Sequence, residues 1–186
     1  SGSYNAALAI GGEGPPSFSP RYIGLTEQYN GSSWSEVNDL NANRAFMGAA
    51  GTTTASIASG GNNPGVYPNS ALNESWNGSA WTEVNDLNVG NKQFGQAGTA
   101  TAAFEVGGNN ASTSYVSTHE QWDGTNWTES GDINTGRAWG TSFGTTTAAM
   151  YAGGRTSSST PPGVANVESW NGSAWTEIND LNQARY

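Results

Sequence analysis

The chain has 186 residues, a formal net charge of −9, no cysteine and only 11% charged residues. The acidity argues against nucleic acid and anionic membrane surfaces as partners, and the missing cysteine removes disulfides, thiolate metal sites and cysteine nucleophiles. The longest apolar runs, such as residues 6–10, fall well short of the ~20 residues of a membrane helix, so no membrane insertion is expected; the 8 Trp and 7 Tyr point to a packed core in place of disorder.

The chain opens on SGSYNAALAIGG, with neither an initiating Met nor a basic leader segment, and reads as a processed or excerpted polypeptide. From there one unit recurs. The segments EQYNGSSW, ESWNGSAW, EQWDGTNW and ESWNGSAW end at Trp34, Trp81, Trp127 and Trp175, in steps of 47, 46 and 48 residues. Glycine pairs recur at Gly11–Gly12, Gly60–Gly61, Gly107–Gly108 and Gly153–Gly154, and an NDLN element at 38–41, 85–88 and 179–182, with the variant GDIN at 131–134. Each repeat predicts four short strands. In the second repeat these are Phe46–Ala50, a tight turn at Gly51, Ala55–Ser59 up to the glycine pair, a variable loop, Leu72–Trp76, and Ala80–Val84. Asn77-Gly78 predicts a two-residue hairpin loop with both residues at positive φ, which sets Trp76 opposite Ser79 and Glu74 opposite Trp81. Alternation then places Glu74, Trp76, Trp81 and Glu83 on one face. No helical periodicity appears, and glycine is too frequent for helices.

An arginine before the first strand (Arg44), a glycine pair ending the second (Gly60–Gly61), an aromatic residue in the third (Trp76) and a tryptophan in the fourth (Trp81) resemble the kelch repeat, and the set covers essentially the whole chain. The resemblance implies an all-β fold, a β-propeller of four kelch-like, four-stranded blades of about 47 residues. The blades span approximately 1–37 plus 182–186, 44–84, 92–130 and 137–178, so the two termini share one blade in a single domain, 1–186. A longer array, or a half-ring that dimerises, is the alternative. The near-identical Trp- and Asn-rich copies are similar to repeat proteins of bacteriophages and aquatic bacteria, which implies an extracellular or virion-surface location, for instance on a tail fibre.

The chemistry-bearing residues mostly belong to the repeat. Twelve of the 15 carboxylates recur fourfold, so they read as structural and not as a unique catalytic pair. Arg44, Lys92, Arg137 and Arg185 read as one repeat position; in a closed ring they form a circle of cations, either a possible anion site or partners of the loop Asp five or six residues earlier. His119 is the single histidine and reads as packing or surface, so no metal or cofactor is expected. The NDLN element reads as turn chemistry, its Asp and Asn bonding nearby backbone N–H groups and its Leu or Ile plugging between blades. What varies is the loop after each glycine pair. These loops carry Phe18, Tyr22, Tyr67, Tyr115 and Arg155, the candidate ligand-binding residues. A rigid frame presenting divergent aromatic loops reads as a non-catalytic binding module for a glycan or surface protein. The second reading is a structural or decoration module in a homo-oligomer or larger viral assembly, and the third a glycosidase-like enzyme.

Overall fold

The computed structural model describes residues 1–17, 21–63, 69–110, 114–156 and 163–186. All regular elements among them are strands, in five antiparallel sheets. The first sheet holds β1 (Gly2–Ser3), β2 (Ala6–Glu13), β3 (Tyr22–Tyr29) and β4 (Trp34–Val37). The second holds β5 (Gly48–Gly51), β6 (Ser56–Ser59), β7 (Asn73–Trp76) and β8 (Trp81–Val84). A two-stranded pair joins β9 (Asn91–Lys92) to β12 (Asn109–Asn110). The third sheet holds β10 (Gly95–Thr99), β11 (Ala102–Val106), β13 (His119–Trp122) and β14 (Trp127–Glu129), and the fourth β15 (Thr141–Thr145), β16 (Ala148–Ala152), β17 (Val167–Trp170) and β18 (Trp175–Ile178). Each four-stranded sheet is a meander in chain order, an arrangement that fits a propeller-like fold. Among the described residues no strand of the first sheet pairs with the fourth sheet.

The hairpin register differs from the sequence expectation. Trp76 lies opposite Trp81 and Glu74 opposite Glu83, so the loop contains four residues, Asn77–Ala80. The reason is the Asn77 side chain: its Oδ1 accepts from the N–H groups of Ser79 and Ala80, both at 2.9 Å, and so stabilises a wider turn. Only Gly78 of the Asn-Gly pair takes positive φ, at 93°. The face assignment survives the shift, because Glu74 lies opposite Glu83 and Trp76 opposite Trp81, and residues directly opposite each other share a face.

The core lies between sheets, in three clusters. Leu8 of the first sheet meets Trp76 and Trp81 of the second, with Leu40 between them. Ile57 and Ala50 meet Trp122 and Trp127, with Leu87 between. Phe104 and Val106 meet Trp170 and Trp175, with Ile133 between. The apolar residue of the first three NDLN-type elements is therefore the plug that the sequence predicts, whereas Leu181 of the fourth is half-buried and joins none of the clusters. The element's aspartate does not make the local turn bonds that the sequence suggests: Asp39 and Asp86 accept the backbone N–H of Thr26 and Asn73, 13 residues back in the third strand, at 3.0 and 3.2 Å. The tryptophan pairs of the second, third and fourth sheets stack at a tilt, with ring centroids 5.4–5.6 Å apart. Trp76, Trp122 and Trp170 each donate Nε1–H to a carbonyl in the turn between the first two strands of their own sheet, so these buried rings keep their polar edge satisfied.

The cations do not form a ring of free charges. Arg44 and Arg137 are both 0% exposed. Arg44 donates to Glu74 at 2.9 Å and to the carbonyls of Gly60 and Leu72 at 3.0 and 2.6 Å; Arg137 pairs with Glu168 in the same way. Their partners are strand-three glutamates and not the preceding loop aspartates. Lys92 is one residue out of step: it pairs with Asn109 as Ala45 pairs with Asn62 and Ala138 with Arg155. Asn91 holds the arginine position, donating to Glu105 at 2.9 Å and to Gly107 O at 2.7 Å. Glu105, fully buried beside Glu120 and lacking the arginine, has its pKa pushed well above the usual carboxylate range, first by burial and then by Glu120. Arg185 is exposed.

A candidate recognition surface at the loop-bearing end

In an antiparallel meander, the loop from the second to the third strand and the entry to the first strand lie at the same end of the sheet. The variable loops therefore share an end with the residues that lead into β5, β10 and β15. At that entry three equivalent residues take left-handed backbone: Phe46, Gln93 and Trp139, with φ of 60°, 59° and 65°. This is why the first strand begins at Gly48 and not at Phe46, two residues later than the sequence predicts. Their backbones form a chain from sheet to sheet, the Gln93 N–H donating to Phe46 O at 2.9 Å and the Trp139 N–H to Gln93 O at 2.8 Å.

Bulky side chains in this conformation cost free energy, and such residues persist where the surrounding structure enforces them. Here the strain presents rings. Tyr22 packs edge-on against Phe46 at 6.2 Å, and Phe46 against Trp139 at 5.8 Å. Asn62 Nδ2 lies 3.5 Å from the Tyr22 hydroxyl. Trp139 is 41% exposed and stands between two clefts. One, of about 240 Å³, is lined by Phe46, Met47, Gln93, Phe94, Trp139 and Gly140. The other, of about 310 Å³, adds Phe143, Leu181, Arg185 and Tyr186. Among the described residues no carboxylate or histidine side chain lines either cleft. The surface is equipped to stack flat apolar faces and offer amide and guanidinium donors.

A carboxylate pair does border a smaller cleft of about 120 Å³, where Glu74 and Glu83 face each other across strands. Glu74 is saturated there. One oxygen takes Arg44, and the other takes the Asn41 backbone and side-chain N–H groups, both at 2.8 Å. Among the described residues no three His, Asp or Glu converge as metal ligands.

Of the residues predicted from the sequence, Tyr22 joins the ring cluster. Tyr115 is half-buried, with φ of 67°, and makes no ring contact with the cluster among the described residues. The Arg155 guanidinium lies over the Tyr186 ring, 5.1 Å from its centroid. Phe18 and Tyr67 lie outside the described residues. Phe46, Gln93 and Trp139 were not expected as site residues. Their signal was present: each stands two residues after the Arg44, Asn91 or Arg137 position.

Comparison with protein-family models and with curated proteins finds no match. Comparison with solved structures finds the structure of YjhT, at a TM-score of 0.66 and 16% identity, over 85% of this chain and 52% of that one. The chain thus spans about half the length of the structure it resembles. The likeness is one of fold: an all-β chain of antiparallel sheets, which fits a propeller-like arrangement.

Proposed function

We propose that the four larger sheets are kelch-like blades of a β-propeller and that the chain is a non-catalytic recognition module, exposed on a virion or cell surface, which binds a glycan at its loop-bearing end. The observation that carries this reading is the Tyr22–Phe46–Trp139 ring cluster, displayed on strained backbone between two open clefts. Sugar rings have apolar faces that stack on such aromatics and hydroxyls that suit the Gln93 amide. The surface location rests on the resemblance of the Trp- and Asn-rich repeats to those of bacteriophages and aquatic bacteria.

The test is a broad glycan array probed with the chain and with Trp139→Ala. Selective binding is expected, and the variant loses it by roughly 30-fold or more, the effect of removing an aromatic anchor worth about 2 kcal/mol. Circular dichroism confirms that the variant is folded. A blank array with a folded chain, or binding that Trp139→Ala leaves unchanged, refutes the reading.

A further inference from the structure

Neighbouring sheets are joined three times by the same device. The linker leaving one sheet supplies an asparagine whose backbone and side-chain N–H groups both hold one oxygen of a glutamate on the next sheet: Asn41 on Glu74, Asn88 on Glu120 and Asn134 on Glu168, at 2.6–3.0 Å. The same asparagine reaches the carbonyl of the next sheet's outer tryptophan, Trp81, Trp127 or Trp175. In two of the three joints the linker adds a buried arginine on the other oxygen. The outer tryptophan then packs back on the preceding sheet, as Trp81 does when it donates to Thr26 Oγ1 at 3.1 Å.

The chain also carries one unmated half of each kind. On the first sheet the equivalent acceptor is Glu27, exposed and without a salt bridge among the described residues. Beside it Trp34 is 50% exposed, whereas Trp81, Trp127 and Trp175 are buried. After the fourth sheet the equivalent donors are Asn182 and Arg185, both exposed. The face that they leave open shows Phe143, 50% exposed, and Ile178. Both halves are open in one structure, so they do not cover each other within a copy.

We infer that the 186-residue chain associates head to tail. The Asn182–Arg185 end of one copy seats on the Glu27–Trp34 face of a second copy and repeats the joint found inside the chain. The occupant is a second copy because the joint is built from matched parts, and each copy bears both. The charges are complementary, a guanidinium to a carboxylate, and the apolar parts are Phe143 and Ile178 against Trp34. The contact is heterologous, so two copies close a ring where the rotation allows it and form an open array where it does not.

The test is sedimentation velocity across a concentration series, for the chain and for Glu27→Arg and Arg185→Glu. Both sites are exposed, so the variants keep the internal joints, which circular dichroism checks. The chain is expected to associate. Each variant alone weakens association by at least ~30-fold, as loss of a buried charge pair does. An equimolar mixture of the two recovers it, because the intact donor end of Glu27→Arg meets the intact acceptor of Arg185→Glu. A chain that stays monomeric at every concentration overturns the inference. So does association that neither variant weakens, or a mixture no better than its components.

Discussion

Removing Glu74 tests the joint where its chemistry is most exposed to failure. In Glu74→Ala, Arg44 stays fully buried and loses its counter-charge, keeping only the Gly60 and Leu72 carbonyls. The two Asn41 donors lose their acceptor at the same time. Breaking a buried ion pair from one side costs about 3–5 kcal/mol. At ~2.1 cal/mol/K of unfolding entropy per residue, the 186-residue chain has about 0.4 kcal/mol/K, so the midpoint falls by roughly 8–13 °C. Thermal and urea melts followed by tryptophan fluorescence measure it. Two double variants separate lost pairing from general damage. Arg44→Met with Glu74→Leu removes both charges and recovers most of the loss, since the desolvation cost disappears with the attraction. Arg44→Asn with Ala58→Glu transplants the combination that the third sheet carries as Asn91 and Glu105, and is more stable than Arg44→Asn alone. A Glu74→Ala cost below ~1 kcal/mol, within the range of exposed pairs, refutes the reasoning. So does an apolar double variant that is less stable than the single one.

Three further outcomes follow from buried groups and backbone. His119 is buried against the Trp170, Trp175 and Phe104 rings, with Asp132 the nearby charge, and burial lowers its pKa from 6.5 to about 4. The unfolded chain takes up the proton first, so stability falls by up to about 3 kcal/mol as pH drops from 6.5 to 4; urea melts of His119→Asn, the residue at the equivalent position 73, should lack that slope. Glu105 acts in the opposite sense, its folded pKa being raised above the unfolded value of 4.5, so ionisation of the unfolded chain erodes stability as pH rises above 4.5 and Glu105→Gln should remove that loss between pH 4 and 8. Gly98→Ala places a Cβ 2.3 Å from the Ala102 carbonyl oxygen at φ of 114°, and thermal melts should show a loss of at least ~2 kcal/mol, against less than ~0.5 kcal/mol for the exposed control Ser173→Ala.

The repeat made the sheets legible, because periodic Trp, Gly-Gly and Asn-Gly each mark one place in a four-strand meander. Register was harder. Asn-Gly signals a tight turn, but the Asn77 carbonyl can cap two N–H groups and stabilise a four-residue loop, and the competition between the two is settled in three dimensions. The cation row failed for a related reason. Lys92 sits one residue beyond the arginine position, and charge type drew the alignment to it, whereas the site selects for reach to the glycine-pair carbonyl, which Asn91 achieves. The ring cluster was invisible because Tyr22 comes from a variable loop of the first repeat, Phe46 from the second and Trp139 from the fourth, and only the stacking of sheets brings them together.

The contrast between what repeats and what varies bears on function. The joint uses the same Asn, Glu and Trp at every internal interface, and where the arginine is replaced a buried glutamate replaces Ala58 two strands away, so the joint is held by compensation. The strained entry residue shows the opposite pattern. Its backbone is the same at 46, 93 and 139, within a few degrees, while its side chain changes from Phe to Gln to Trp. Glycine would meet that backbone requirement with no steric cost. A position that keeps an unfavourable backbone and bears three unlike side chains, one of them a tryptophan 41% exposed, supports the proposal that its side chains are kept for display. The scaffold repeats and the display does not, which is the division that the proposed recognition role predicts.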